Sequence, residues 1–115
     1  MSDKYFHSGN YIYECKTSPS KRDMDVARLN AAIGKLRKVW ERGKKPSGYR
    51  YLFPINTLSS KSIQSLKSLQ SDYPEVDIRW YESAEVEKLI ANLREIGSMS
   101  DLVSYISKAQ AESLR

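Results

Sequence analysis

Sulfur and imidazole are scarce in this chain. Its single cysteine, Cys15, excludes an intrachain disulfide and any zinc cluster built on cysteines. Its single histidine, His7, sits beside turn-forming residues, and no Ser-His-Asp order suited to nucleophilic catalysis can be traced. The five glycines are scattered, so no phosphate-cradling glycine loop is present. No apolar run approaches the roughly 18 residues of a membrane span. Residues 1–9 are polar and aromatic rather than a charged segment followed by an apolar one, which is unlike a secretory leader. There is no internal repeat, low-complexity tract or composition break. These absences lead to the expectation of one domain over residues 1–115, with no membrane partner, in the reducing setting of the cytoplasm.

What remains is ample for a core. Hydrophobic residues make up 40% of the 115, and most of the aromatics are tyrosine, which argues against disorder. The net charge is +5, compatible with a polyanionic partner. Basic residues crowd 16–22 and 35–50, whereas acidic ones gather in 72–95. The first half is therefore the expected face for nucleic acid.

The stretch 10–16, Asn-Tyr-Ile-Tyr-Glu-Cys-Lys, reads as a strand behind the turn chemistry of Ser8, Gly9 and Asn10. Strand side chains alternate, so Glu14 and Lys16 share one face and Cys15 takes the other, as a buried apolar residue. A two-residue turn at Ser8-Gly9 would set Asp3 directly opposite Glu14, gathering Asp3, Glu14 and Lys16 on one face. Tyr5, Phe6, Tyr11 and Tyr13 are expected as cross-strand pairs that hold this hairpin.

A helix follows over about 22–42, capped by Ser20 or Asp23, with Leu29, Ile33, Leu36 and Trp40 as its core stripe. Residues 49–55 read as a buried strand, 61–71 as a helix on Ile63, Leu66 and Leu69, and 76–81 as an alternating edge strand. Ser83 should cap a helix that ends at Gly97, and Ser100 should open a last one. The expected class is α/β: a mixed sheet with an N-terminal β-hairpin, then β-α-β-α-β with right-handed parallel crossovers, and C-terminal helices. In open α/β sheets sites form at the carboxyl ends of strands, where Glu14 and Lys16 fall.

Ser2-Asp3, ten intervening residues and Glu14-Cys15-Lys16, followed by a helix and a further strand, resemble the PD-(D/E)XK nuclease superfamily with its restriction-endonuclease-like fold. The proline usual before the first acid is Ser2 here, and the helix that normally precedes that acid has no counterpart. The resemblance implies hydrolysis of DNA with Mg²⁺ or Mn²⁺, Asp3 and Glu14 as metal ligands, and Lys16 as the activating cation. Lys21, Arg22, Arg28, Lys44, Lys45 and Arg50 are the expected phosphate contacts. A nuclease this small has little surface for a duplex, so a homodimer is expected. The alternatives are a non-catalytic nucleic-acid-binding module that keeps the fold, and an assembly module.

Overall fold

A computed structural model describes residues 3–18 and 22–113, with Asp3 described through its backbone alone. The elements run β1 (Asp3–Ser8), β2 (Tyr11–Lys16), α1 (Val26–Arg42), β3 (Gly48–Leu52), α2 (Ser60–Asp72), β4 (Asp77–Tyr81), α3 (Ser83–Ile96) and α4 (Ser100–Ser113). The strands form one mixed sheet in the order β1-β2-β3-β4. The first pair is antiparallel, and β2, β3 and β4 are parallel. The expected α/β class and mixed sheet are thus observed.

Each face of the sheet carries a helical layer. Tyr49, Tyr51 and Ile78 pack against Leu29, Ile33 and Trp40 of α1 and Leu66 and Leu69 of α2. On the other face Cys15 and Leu52 meet Val86, Ile90 and Leu93 of α3 and Leu102, Val103 and Ile106 of α4. Two crossovers advancing the same way across a sheet must share a hand to put both helices on one face, and α1 and α2 do share one. Burial on both faces explains why β3 carries aromatic residues at Tyr49 and Tyr51 and is buried at all five positions.

The hairpin register differs from expectation. Asp3 pairs with Lys16, and Tyr5 pairs with Glu14. The turn is Gly9-Asn10, not Ser8-Gly9. Gly9 has φ +60° at the first central position, which a type II′ turn reserves for glycine. Ser8 in that position would carry a Cβ into the left-handed region. The slip is by two residues, so face parity is preserved.

Other boundaries move for local reasons. Helix α1 begins at Val26 because Asp25 caps it, accepting from the Ala27 N–H, while Asp23 forms a bridge with Thr57. At α3 the cap is Glu82 rather than Ser83, in a reciprocal capping box with Glu85. Strand β3 runs Gly48–Leu52, starting one residue before the expected 49–55 and ending three residues short of it. A Cβ at Gly48 would lie 2.3 Å from the Tyr11 ring, and Arg50 stacks over that same ring at 4.9 Å. Glycine is what lets Tyr11 lie flat between the two. No helix among the described residues is long and apolar enough to cross a membrane.

Candidate functional site

Strand β2 ends with its last three residues buried. Glu14 and Lys16, two apart, project to the face covered by α1, and their side chains are only 2% and 3% exposed. The Lys16 ammonium stands 3.7 Å from Glu14 Oε2. The other carboxylate oxygen accepts a hydrogen bond from the Tyr49 hydroxyl at 2.5 Å. Tyr49 is placed for this by the neighbouring parallel strand, where it pairs with Ile12. Its ring is fixed edge-on by Trp40, with centroids 5.6 Å apart. Burial and the adjacent Glu14 charge push the Tyr49 phenol far above its ordinary range, so it is a permanent donor. On the opposite face, burial followed by the Glu14 charge pushes the Cys15 thiol up to about 12, which leaves it a packed apolar group rather than a nucleophile.

The pair lies in the floor of a groove of about 740 Å³ between the hairpin and α1. Arg28 and Lys35 of α1, with Lys44 and Lys45 of the following loop, bring positive charge to it. Its apolar surface includes Tyr5 and Val39, which are 53% and 60% exposed. Of the sequence-predicted residues, Glu14, Lys16, Arg28, Lys44 and Lys45 are brought together here. His7 lines the same groove from β1.

Two candidates stand elsewhere. Arg22 is exposed and outside the groove, with its carbonyl held by Asn56 and Thr57. Arg50 is on the other face of the sheet, bonded to Asp77 Oδ2 at 2.9 Å and to the Asp77 carbonyl. The Arg50 hydrogen bond holds the Asp77 carboxyl below its usual range. Alternation along β3 explains the miss: a residue next to Tyr49 has to face away from it. Lys21 and the side chain of Asp3 lie outside the described residues; the Asp3 backbone is set opposite Lys16.

Tyr49 was missed as a polar partner, although its signal was present. A tyrosine on a strand buried on both faces needs a partner for its hydroxyl; which acid provides it depends on the strand alongside, and here it is Glu14. Asn56 lies between β3 and α2. It is fully buried, accepts from the Ser18 N–H at 2.8 Å and donates to the carbonyls of Ser18 and Arg22. It thereby ties down the segment leaving Lys16.

Among the described residues no three His, Cys, Asp or Glu side chains gather as a metal-holding group. A carboxylate oxygen is nevertheless the type of donor that a hard cation takes. Glu14 supplies carboxylate oxygen, the register sets a second acid position across from Lys16, and Mg²⁺ uses only one or two carboxylates beside phosphate oxygens and water. Comparisons of the chain with protein-family models, curated proteins and solved structures found no match in any of the three.

Proposed function

We propose that this chain is a nuclease-like domain of the restriction-endonuclease-like kind, hydrolysing DNA phosphodiester bonds with Mg²⁺ or Mn²⁺. The observation that carries the reading is the contact of Glu14 with Lys16 at the outgoing end of β2, in the floor of a groove edged by lysine and arginine. Asp3 and Glu14 would hold the ion. When bound, it would supply Lewis-acid polarisation of the scissile phosphate and a more acidic water. Tyr49 fixes the rotation of the Glu14 carboxylate by donating to one oxygen, which leaves the Oε2 side turned toward Lys16. Lys16, compact and cationic, orients the attacking water or offsets the charge that builds on the phosphoryl oxygens. Arg28, Lys44 and Lys45 hold flanking phosphates without reading sequence. A homodimer would double the surface offered to DNA, and a cytoplasmic setting suits the lone unpaired Cys15.

One observation favours a second reading. Glu14 and Lys16 are almost fully enclosed, as expected of a module that keeps the fold and binds nucleic acid without cutting it. Nicking of plasmid and cleavage of short oligonucleotides with Mg²⁺ or Mn²⁺ separates the two. The nuclease reading expects cutting by the native chain and none by Glu14→Ala or Lys16→Ala. Equal cutting by all three proteins would trace it to a contaminant, and no cutting by any would leave the binding module.

A further inference from the structure

The groove beside Glu14 and Lys16 has two unlike walls, and together they specify an occupant. Arg28, Lys35, Lys44 and Lys45 bring four cations to it in addition to Lys16, and Glu14 is its one described acid. Of these, Lys45 also approaches Glu75, at 3.6 Å. Such a surplus selects a polyanion. The rest of the lining includes His7 and Asn10 of the hairpin and an apolar part open to solvent, with Tyr5 on β1 half exposed and Val39 on α1 more so. Flat apolar faces beside a row of cations suit a chain whose charged backbone alternates with unpaired bases. A duplex presents only phosphate and groove edges, and it would leave Tyr5 and Val39 uncovered. At about 740 Å³ the groove has the capacity of a small-ligand pocket, too little for a double helix to enter.

We infer that the groove between the hairpin and α1 binds a single strand of nucleic acid, with phosphates along Arg28, Lys35, Lys44 and Lys45 and a base against Tyr5. This deepens the nuclease reading by naming its substrate class, and it rests on that reading only for the claim that a bound phosphate reaches Glu14 and Lys16. The neutral stretch of groove at Tyr5 and Val39 distinguishes this inference from general attraction to basic protein surfaces. Charge alone would favour the duplex, whose phosphates are more densely spaced, whereas stacking on an unpaired base favours the single strand.

The test is fluorescence anisotropy of a labelled oligothymidylate and of a duplex hairpin of equal nucleotide count, in chelator, over a series of salt concentrations. The single strand should bind at least about tenfold more tightly than the hairpin. Tyr5→Ala should cost the single strand about tenfold and leave the hairpin unchanged. Val39→Glu, an exposed change on the opposite wall, should weaken the single strand as well. Lys44→Ala with Lys45→Ala should flatten the logarithmic salt dependence by about 1.4. Circular dichroism of each variant separates lost binding from lost fold. Equal or tighter binding of the hairpin, or indifference of the single strand to both Tyr5→Ala and Val39→Glu, would overturn the inference. Because chelator removes cleavage, the two proposals fail separately. Tight single-strand binding without metal-dependent cutting would sink the nuclease alone. Cutting of duplex by a protein that prefers duplex would sink the single-strand groove alone.

Discussion

Replacing Lys16 by methionine keeps the length of the side chain and removes its charge. In the native fold that charge lies 3.7 Å from Glu14 Oε2, and neither side chain is more than 3% exposed. At an effective dielectric of about 20 the attraction is about 4.5 kcal/mol. Desolvating the two ions costs several kcal/mol each, so the intact pair contributes little net stability. The single variant is different because it leaves Glu14 enclosed beside an apolar group. Removing one partner of a buried pair typically costs about 3–5 kcal/mol. The Tyr49 hydroxyl still donates to Glu14, which places Lys16→Met at about 3 kcal/mol, or roughly 10 °C in Tm for a domain of this size. Glu14→Gln should cost less, about 2 kcal/mol, because the lysine stem can carry its ammonium outward into the groove. The double variant Glu14→Gln/Lys16→Met removes both charges, and it should return to within about 1 kcal/mol of the native chain. Urea denaturation of the four proteins measures this as a double-mutant cycle. A Lys16→Met cost below about 0.5 kcal/mol would show a solvated ammonium and refute the enclosed geometry. A double variant as unstable as the worse single one would refute the pairing.

Alkali and the loop behind the site give two further tests. Cys15 ionises near 9 when unfolded, whereas burial pushes it up to about 12 in the fold, and Tyr49 moves the same way. The folded state therefore binds more protons above pH 9, so these two groups leave stability unchanged from neutral pH to about 9 and make it fall progressively from about pH 9 to about pH 12. The native thiol should also resist a disulfide reagent at pH 8 until urea is added. A melting temperature flat to pH 11, or prompt native labelling, would contradict the burial of this face. Asn56→Ala strips hydrogen bonds from Ser18 and from the Arg22 carbonyl. It should cost about 2–4 kcal/mol in chemical denaturation, and a loss under about 0.5 kcal/mol would mean that water replaces the amide.

The elements were legible where one physical signal dominated. Leu29, Ile33 and Trp40 recur on one helical face and are all buried, and the alternation through Val76, Ile78 and Trp80 marked an edge strand that is indeed last in the sheet. That Glu14 and Lys16 share one face of β2 followed from the same period-two rule. The hairpin register was not legible from the strands, because Ser8, Gly9 and Asn10 offer two possible two-residue turns. Only the positive φ at Gly9 decides between them. The Tyr49 contact and the exile of Arg50 depend on which strand lies beside β2, a long-range fact that local periodicity does not carry. The clamp at Asn56 spans 38 positions in the chain, and a lone asparagine in a loop announces nothing about its distant partner.

The topology accounts for a charged pair that is enclosed and yet lines a groove. Strand order advances without reversal from β1 to β4, so the crevice of a doubly wound sheet, which opens where the order reverses, has no place here. A crossover helix lies over the seam between the strands it joins. Helix α1 is therefore centred between β2 and β3. A helix about 10 Å wide reaches about 5 Å either side of that seam, and strands are spaced about 4.8 Å apart. Its cover therefore ends just past β2, and β1, turned back by the Gly9 hairpin, is left beyond it with its face open. Strand β2 is the border. Its side chains on the α1 side are held down by the helix layer and Tyr49, and they open sideways onto the bare face of β1. Glu14 and Lys16 occupy that border at its carboxyl end, which is why they can be 2% and 3% exposed and still line a groove edged with cations. A charged pair moved one strand inward, to β3, would be sealed under two helices, and moved outward to β1 it would be solvated and poorly oriented. The hairpin thus sets this buried ion pair beside the groove instead of sealing it under two helices.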